Sequence, residues 1–392
     1  MVKLISILGS TGSIGRTSLR IIKKKKILKP YIFSSNKNYS LICKQIKEFK
    51  PNYFIVFDKK IYKKILKKFK RHSTKILNSL DLKYIKKKSD ITILAIPGID
   101  GLQPTIEMIK KSKKMLLANK ESIICGWNLI YKNSKKYQTK IIPIDSEHFS
   151  ILKLLENISL KEIEKVYLTA SGGPFLGFKY HQLKKIKPQQ ALKHPKWKMG
   201  KKISVDSSTL MNKILELIEA QKLFNIPNNK LQILIHPQSL VHAIVTFKNG
   251  ISKFIYHDTS MLIPIGNAIF EDNFNINNFL VDKITKKKIE NLSFLLPDKN
   301  NFPILKLIDK LNKFSSSSII INASNEVLVD HFLRNKVPFL AIPFIIEAIL
   351  RDRNYLKYAI KKPKNLKQIN KINNWAKQTT KIKINKYYEK NL

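Results

Sequence analysis

The sequence predicts an α/β protein with three domains: a parallel sheet domain at the N-terminus, an α+β domain in the middle and a helical domain at the C-terminus. Short apolar runs alternate with Lys-rich helical patterns through the first 145 residues, which is typical of a parallel sheet covered on both faces. From about residue 298 the apolar spacing is helical, without strand alternation. The predicted boundaries are 1–145 for the sheet domain, 146–270 for the middle domain, 271–297 for an Asn- and Lys-rich linker and 298–380 for the helical domain.

The elements of the first domain follow in a regular order. An amphipathic stretch over 14–26 predicts a helix after the first strand. The predicted strands share a short apolar composition without alternation, as expected of strands buried on both faces. They are 2–8, 31–34, 53–57, 91–96, 115–118 and 141–144.

The net charge is the unusual feature of the composition. Among 392 residues, 74 are Lys or Arg and 27 are Asp or Glu, giving a formal charge of +47. Such a charge is found in proteins that bind nucleic acids or membrane surfaces. The excess is nearly all Lys spread along the chain, and Ile and Asn are also frequent, which favours compositional drift. No arginine-rich helix or zinc-finger spacing is present, so we expect no specific nucleic-acid partner.

The cysteines and the hydropathy pattern limit the cellular context. Two cysteines, Cys43 and Cys125, exclude a disulfide scaffold and suggest a reducing compartment. No apolar run reaches 18 residues, so we expect no membrane-spanning helix and no membrane partner. The first predicted strand starts at Val2, so we expect no signal peptide and a cytoplasmic location.

The turn after the first strand carries Gly9, Gly12 and Gly15 in a GxxGxxG spacing. A glycine turn between strand and helix exposes backbone N–H groups where the helix dipole favours negative charge. This predicts a Rossmann-like domain that binds the pyrophosphate of a dinucleotide, with a purely structural turn as the alternative. NAD enzymes usually carry a carboxylate after the second strand, whereas this chain has Asn36-Lys37-Asn38. We therefore predict NADP, whose 2′-phosphate suits Lys37.

Three acids form a candidate metal site. Asp145 and Glu147 follow the last predicted strand, two apart in a segment that we expect to be extended, so that both point to one side. Glu216 lies in a helical pattern that we expect to be capped by Asp206 or Ser207, with Asn212 one turn before it on the same face. Carboxylates without Cys suit a hard cation, Mg²⁺ or Mn²⁺. Each acid alone could equally be a solvated surface group.

Two further segments have the composition of an anion site and of a lid. Ser171 in a Gly-Gly-Pro turn, together with Ser207, Asn212 and Lys213, offers donors that suit a phosphate monoester; turn chemistry and a helix cap are the alternative. The segment 194–200 joins a His, a Trp and a Met to Pro and Gly. This mixture is typical of a mobile lid over a substrate, although a Trp packed under a loop would look the same.

Together, these segments resemble the 1-deoxy-D-xylulose 5-phosphate reductoisomerase family. The matching runs occur in the family's order over nearly the whole chain. They are GSTGSIG at 9–15, LLANKES at 116–122, PIDSEH at 143–148, SGGPF at 171–175, HPKWKMGKKISVDSSTLMNK at 194–213, IHPQS at 235–239 and NASNE at 322–326. The chain departs from the family pattern at Asn36, where Gly is usual, and at 259–262, where TSML replaces PDMR.

The resemblance implies an activity and a set of roles. The expected enzyme is a homodimer with an NADPH domain, a catalytic domain and a helical domain. It rearranges the sugar phosphate and reduces it with NADPH to 2-C-methyl-D-erythritol 4-phosphate, in non-mevalonate isoprenoid precursor biosynthesis. The implied metal ligands are Asp145, Glu147 and Glu216, and the implied catalytic set adds Lys120 and His194. Implied substrate contacts are Lys120, Ser146, Ser171, His194, Trp197, Met199, Ser207, Asn212, Lys213 and Glu216. Expected cofactor contacts are Thr11, Gly12, Ser13, Ile14, Asn36, Lys37, Asn38, Asn119, Glu121 and Gly200.

Two other classes stay open at this point. An NADP-dependent semialdehyde dehydrogenase also opens with a glycine turn, but it needs a thiol nucleophile. Cys125 lies in an apolar run, which favours a packing role. A basic nucleic-acid-binding protein is the third hypothesis, and it depends on charge alone.

Overall fold

The computed structural model describes residues 2–197, 199–279, 291–311 and 313–389. The chain divides into two compact units. Unit 1 comprises Met1–Ser122, Asn128–Phe149 and Ser260–Glu290. Unit 2 comprises Ile123–Trp127, Ser150–Thr259 and Asn291–Leu392.

Unit 1 is built on a parallel sheet. Its strands are β1 (Lys3–Leu8), β2 (Leu28–Ser35), β3 (Tyr53–Val56), β4 (Lys75–Leu77), β5 (Ser89–Leu94), β6 (Ser112–Leu117) and β7 (Lys140–Pro143). They pair in the order β4-β3-β2-β1-β5-β6-β7, and every pairing is parallel. All six predicted strands are confirmed, and the three-residue β4 is an edge strand that the sequence pattern did not predict.

Helices follow most of these strands along the chain. They are α1 (Ser13–Lys24), α2 (Tyr39–Phe49), α3 (Lys59–Lys68), α4 (Leu102–Ile109), α5 (Lys120–Tyr137) and α6 (Ser146–Leu154). The strand order reverses at β1, whose neighbours are β2 and β5. In an open parallel sheet, the crevice outside the carboxyl ends of the strands at such a reversal is the usual ligand site. The glycine turn leaves β1 at this point.

Burial explains why β1 reads as a continuous apolar run. Ile5, Ile7 and Leu8 are fully buried because helices cover both faces of the sheet. The buried residues of α1, which include Leu19, Ile21 and Ile22, occur at helical spacing, and the remaining face of α1 is rich in Lys and Arg.

Unit 2 contains a smaller mixed sheet, with strands β8 (Ile163–Ala170), β9 (Leu231–Ile235), β10 (Val241–Phe247) and β11 (Ser252–Tyr256). The order is β11-β10-β8-β9, with β8 and β9 parallel and the other pairs antiparallel. Between β8 and β9 lie the short helices α7 (Tyr180–Leu183) and α8 (Pro188–Ala191), followed by α9 (Lys201–Ser208) and α10 (Met211–Phe224). The loop 171–175 and these helices therefore leave the sheet at the carboxyl end of β8.

The remaining helices include α11 (Leu262–Phe270) in unit 1 and α12 (Ser317–Leu333), α13 (Ala341–Leu350), α14 (Tyr355–Ala359) and α15 (Leu366–Glu389) in unit 2. The helical character predicted for the C-terminal region is confirmed. Helix α12 is buried over most of its surface, including polar residues such as Asn322 and Asn325. Buried amides need hydrogen-bond partners, so α12 makes polar contacts as well as apolar ones.

The four predicted domain boundaries stay a prediction. Within the predicted linker, 280–290 lie outside the described residues, and 271–279 contain two short 3₁₀ turns, Glu271–Asn273 and Ile276–Asn278. In the described part of the chain, no helix is long and apolar enough to cross a bilayer.

Candidate active site

The glycine turn of unit 1 is shaped by two close backbone approaches. Gly9 has a φ of +89°, and a Cβ there would lie 2.6 Å from the carbonyl oxygen of Ala95. A Cβ on Gly15 would lie 2.4 Å from the carbonyl oxygen of Gly9. Both positions therefore require glycine, because no backbone atom can approach a Cβ so closely.

The first turn of α1 has the features of an anion-binding helix N-terminus. Gly12 precedes the helix and offers no side-chain cap to its amides, which is the usual situation at a phosphate-binding helix N-terminus. The Thr11 hydroxyl lies 2.7 Å from the Ser35 hydroxyl, which joins the turn to the end of β2. Ser13 is exposed and Ile14 is half-buried at the mouth of the turn.

A buried glutamine that sequence reasoning missed supports this turn. The Ser10 hydroxyl donates to Gln45 Oε1 over 2.6 Å, and Gln45 Nε2 donates to the Ser10 carbonyl over 3.0 Å. Both residues are buried. The detectable signal was a polar residue on the apolar face of the α2 pattern.

The segment after β2 is solvated. Asn36, Lys37 and Asn38 are all exposed, and the Asn38 side chain caps α2 by accepting from the Leu41 N–H over 3.1 Å. Asn36 is not among the described residues with left-handed backbone. The position that is usually Gly in the family therefore takes Asn here without backbone strain.

Asn119 is committed to the scaffold of unit 1. It is buried, it caps α5 through the Ser122 N–H, and its Nδ2 donates to the carbonyls of Ile96 and Gly98, the latter over 2.8 Å. Both amide hydrogens thus hold the loop after β5. Glu121 is buried in the first turn of α5. The cofactor contacts of Asn119 and Glu121 stay predictions.

A charged cluster lies where β7 meets α6. The Lys120 ammonium is 3.0 Å from Asp145 Oδ2, and His148 Nδ1 is 3.4 Å from the same oxygen. Burial by itself would raise the pKa of the Asp145 carboxyl, but Lys120 and His148 outweigh it and hold that pKa well below its usual range. This environment favours the ionised form of Asp145. The Ser146 hydroxyl donates to Glu147 Oε2 over 2.6 Å.

One expectation for this segment was wrong. Asp145 and Glu147 do not share an extended segment, because α6 begins at Ser146. His148, which is fully buried, was also missed as a partner of Asp145. Its spacing of three residues from Asp145 at a helix start was the available signal.

Helix α10 carries a second charged cluster, in unit 2. Glu216 is 1% exposed, and its Oε2 lies 2.6 Å from the Lys213 ammonium. The Asn212 amide donates to Oε1 of the same carboxylate, as the i, i+4 spacing predicted. A buried carboxylate held by an ammonium and an amide has its charge balanced and its orientation fixed by these contacts. Glu219, one turn further along α10, is equally buried, and the sequence pattern did not identify it as a buried acid.

The predicted helix cap in this region was wrong. Asp206 and Ser207 do not begin a helix, since both belong to α9. Helix α10 starts after Leu210, whose φ of +60° is rare for a non-glycine residue. This left-handed position holds Leu210 and not a glycine, so the sequence pattern did not predict the break between α9 and α10.

The Ser171 turn and His194 are joined by hydrogen bonds. His194 Nδ1 accepts from the backbone N–H groups of Lys196 and Trp197, over 3.1 and 2.9 Å. In the neutral ring the proton must then be on Nε2, which lies 3.0 Å from the Ser171 hydroxyl oxygen. That oxygen also accepts from the Gly173 N–H over 3.1 Å. Ser171 therefore keeps its own hydroxyl hydrogen for donation.

His194 is neutral at physiological pH. Burial lowers its pKa to about 4, and the nearby Lys213 ammonium acts in the same direction. A neutral His can donate and accept without adding charge.

The predicted lid, 194–200, has no regular secondary structure in its described part, which omits Lys198. The Trp197 ring packs edge-on against His242, with ring centres 6.1 Å apart. Met199 is half-buried, and Gly200 is exposed and precedes α9. The lid role stays a prediction.

The chain matches three family models. Residues 5–126 match 1-deoxy-D-xylulose 5-phosphate reductoisomerase, 141–224 match its C-terminal domain, and 258–379 match a DXP reductoisomerase C-terminal domain. The 1-deoxy-D-xylulose 5-phosphate reductoisomerase of Pelagibacter ubique is 44% identical over 382 residues, covering 96% of this chain and 98% of the relative. The enzyme of Clostridium novyi is 40% identical over 98% of this chain and 100% of the relative.

Solved structures agree with the family models. A crystal structure of DOX-P reductoisomerase in complex with NADPH, fosmidomycin and magnesium is 30% identical, with a TM-score of 0.89 over 98% of both chains. The Zymomonas mobilis enzyme in complex with NADPH is 28% identical, with a TM-score of 0.86 over 98% of this chain and 99% of that one. Because a curated relative is 44% identical to this chain over 96% of its length, the chain belongs to the 1-deoxy-D-xylulose 5-phosphate reductoisomerase family.

Proposed function

We propose that this protein is an NADPH- and divalent-metal-dependent oxidoreductase. It rearranges 1-deoxy-D-xylulose 5-phosphate and reduces it to 2-C-methyl-D-erythritol 4-phosphate, a step of non-mevalonate isoprenoid precursor biosynthesis. The observation that carries the proposal is the α10 cluster, in which Glu216 is buried and held by Lys213 and Asn212. Asn212 and Lys213 end the longest family-like run of the chain, HPKWKMGKKISVDSSTLMNK, and Glu216 lies three residues after it.

Three carboxylates are proposed to hold the cation: Asp145, Glu147 and Glu216. An all-oxygen donor set fits Mg²⁺ or Mn²⁺, and the surroundings of Asp145, which favour its ionised form, add to that fit. When bound, the cation supplies Lewis-acid polarisation of the substrate's oxygens. Lys120 and Lys213 balance Asp145 and Glu216 respectively, so the carboxylates are ionised and oriented beforehand.

The substrate phosphate is proposed to bind in unit 2. The Ser171 hydroxyl has its two acceptor positions filled by Gly173 and His194, so its hydrogen is left to donate to a phosphate oxygen. Ser207, Asn212 and Lys213 are proposed to complete the set. A charge-assisted contact from Lys213 is the strongest member, because both groups are ionised.

The remaining substrate contacts are proposed to be Lys120, Ser146, His194, Trp197 and Met199. His194, being neutral, hydrogen-bonds a sugar hydroxyl without repelling the cation. Trp197 and Met199 provide apolar cover, and closure of 194–200 would exclude water from the reacting carbons. Binding energy from the remote phosphate is available to drive that closure.

The cofactor is proposed to be NADPH, bound at the glycine turn. The amides of Gly12, Ser13 and Ile14, with the Thr11 hydroxyl, suit its phosphates. Asn36, Lys37 and Asn38 are exposed at the end of β2 and carry no acid, which favours a 2′-phosphate. Asn119, Glu121 and Gly200 complete the proposed contacts.

The thiol-based alternative is not favoured. Cys125 is 5% exposed, and its sulfur accepts a hydrogen bond from the Asn322 amide over 3.7 Å. A nucleophile has to reach its substrate, so this buried thiol does not suit a semialdehyde dehydrogenase. The other cysteine, Cys43, is also buried.

We also propose that the protein is a homodimer and that it is located in the cytoplasm. Strand β11 is at the edge of its sheet, and Phe254 on it is 48% exposed. An edge strand with exposed residues is a template for pairing with a second copy. Sedimentation should give a dimer for the native chain and a monomer for Phe254→Lys, whereas a monomeric native chain would refute the dimer.

The decisive experiment follows NADPH consumption with 1-deoxy-D-xylulose 5-phosphate, with Mg²⁺ and with excess chelator. We expect turnover only with both metal and substrate, and the product should be 2-C-methyl-D-erythritol 4-phosphate by mass and NMR. Turnover that survives chelation, or that is abolished by thiol alkylation alone, would refute the proposal.

A further inference from the structure

A buried polar contact joins α9 to α12 within unit 2. Asn325 Nδ2, on α12, donates to Asp206 Oδ1, on α9, over 2.7 Å. The second oxygen of Asp206 accepts from the Lys202 ammonium over 2.8 Å. Asp206 is 1% exposed and Asn325 is fully buried. The contact links residues 119 positions apart along the chain.

The chemistry of this contact fixes its geometry. A carboxylate can only accept hydrogen bonds, so the Asn325 amide must turn its nitrogen toward Asp206. In the described part of the protein, Asn325 Oδ1 is left buried without a hydrogen-bond partner. An apolar residue of similar volume would avoid that cost, so packing alone does not explain an asparagine at this place.

Helix α9 connects the two halves of the proposed phosphate site. Ser207 directly follows Asp206 in α9. The Ser171 turn lies against the same helix, because a Cβ on Gly173 would be 3.1 Å from the Ser207 carbonyl oxygen. At the other end, Leu210 holds a left-handed conformation before α10 begins. Such strain persists only where the surroundings determine the backbone.

We propose that Asp206 and Asn325 are positioning residues for the sugar phosphate. They hold α9 against the C-terminal helix α12, so that Ser207, the Ser171 turn and the start of α10 keep the spacing that one phosphate group needs. This inference rests on the proposed function. It assigns a part in substrate binding to α12, which carries none of the expected site residues.

The first test replaces Asn325 by leucine, which keeps the volume and removes the donor. For Asn325→Leu we expect kcat/KM for the sugar phosphate to fall about tenfold or more, mainly through KM, as one charge-assisted hydrogen bond is lost. KM for NADPH should stay within about twofold of native, because the glycine turn belongs to unit 1.

Asn322→Leu is the matched control. Asn322 lies on the same helix and is equally buried, but its amide contacts the Cys125 sulfur and not α9. Its substitution should change thermal stability to a similar extent and leave KM for the sugar phosphate within about twofold. Equal effects of the two variants on KM would overturn the proposal, because both would then act through general stability.

The exchanged pair tests whether the contact itself matters. Asp206→Asn combined with Asn325→Asp restores a donor facing a carboxylate across the same gap. Asn325→Asp alone should raise KM for the sugar phosphate, because two carboxylates then face each other. In the double variant, KM should return most of the way to the native value. No recovery would overturn the positioning role. Failure of the proposed function would look different, since the native chain itself would not turn over the sugar phosphate.

Discussion

The glycine turn of unit 1 and the α9–α10 segment of unit 2 are both proposed to bind phosphate groups, but they are built differently. The turn is determined by backbone: Gly9 and Gly15 permit contacts that any Cβ would block. The α9–α10 segment is determined by buried charge, since Asp206, Lys213 and Glu216 are all nearly inaccessible. We therefore expect the first site to be most sensitive to added side-chain volume, and the second to be most sensitive to the loss of a charge or of a hydrogen-bonding group.

This difference has an energetic basis. An added methyl group in a close backbone contact forces the chain to move, which costs about 1–3 kcal/mol. Removing one partner of a buried ion pair leaves an uncompensated charge and costs about 3–5 kcal/mol. Substitutions of equal size should therefore affect the two sites differently, and the largest free-energy costs should arise in unit 2.

The largest effect is expected for Glu216→Gln, which keeps the volume and removes the charge. Turnover should fall about a thousandfold or more, because a proposed metal ligand is lost. NADPH binding, measured by fluorescence titration, should be unchanged. Glu164→Gln, at an exposed position of β8, is the control and should retain native turnover. Native turnover of Glu216→Gln in excess chelator would refute the metal role.

Gly15→Ala tests the backbone-determined site. The added Cβ would lie 2.4 Å from the Gly9 carbonyl, and NADPH affinity should fall about a hundredfold, since the turn must open. Gly12→Ala is matched in chemistry but meets the same oxygen only at 3.3 Å, so its loss should be several times smaller. Both affinities can be measured by titrating NADPH fluorescence, with circular dichroism as a check on folding. Equal losses would show that sterics do not define the turn.

Lys213→Ala should weaken binding of the substrate more than binding of the cofactor. Loss of a charge-assisted contact to a dianion is worth roughly 2–3 kcal/mol, or about 30- to 150-fold in affinity. Lys222→Ala, further along α10, controls for the loss of a lysine from the same helix. Binding of the sugar phosphate by calorimetry provides the measurement. Unchanged substrate affinity in Lys213→Ala would place the phosphate elsewhere.

Lys37→Glu should separate the two cofactors, with a moderate effect. A carboxylate at the end of β2 repels a 2′-phosphate and suits a free ribose hydroxyl. We expect KM for NADPH to rise about tenfold, and KM for NADH to stay level or fall, in steady-state kinetics. Lys29→Glu, at the exposed start of β2, controls for the general change in charge. An equal effect on both cofactors would assign the 2′-phosphate to another residue.

The same contrast explains what could be predicted from sequence. Strand–helix alternation and glycine spacing depend on local backbone, so the glycine turn and six of the seven strands of the parallel sheet were predicted, with strand limits that differ by up to three residues. The i, i+4 pair of Asn212 and Glu216 was predicted for the same reason. The break at Leu210 was not, because tertiary packing imposes a left-handed backbone on a residue that does not favour it. Gln45, His148 and Asn325 were missed because their partners are remote in sequence or lie across a helix start.

The smallest expected effect is a pH dependence of stability through His194. This residue lies in unit 2, but its ring is held by backbone N–H groups, as the glycine turn of unit 1 is held by backbone contacts. Backbone N–H groups fix its Nδ1 as an acceptor, and its pKa falls from the usual 6.5 to about 4. Between these values the unfolded chain binds a proton that the folded chain refuses, so native stability decreases as pH falls from 6.5 toward 4 and is unaffected above. Solvent screening of this half-buried ring keeps the effect modest. Denaturant unfolding of the native chain and of His194→Asn across this range should give curves that diverge only below the usual pKa. Parallel curves would mean that His194 is protonated as easily in the folded chain as in the unfolded chain, which would leave Nδ1 without its acceptor role because both ring nitrogens of a protonated imidazole are donors.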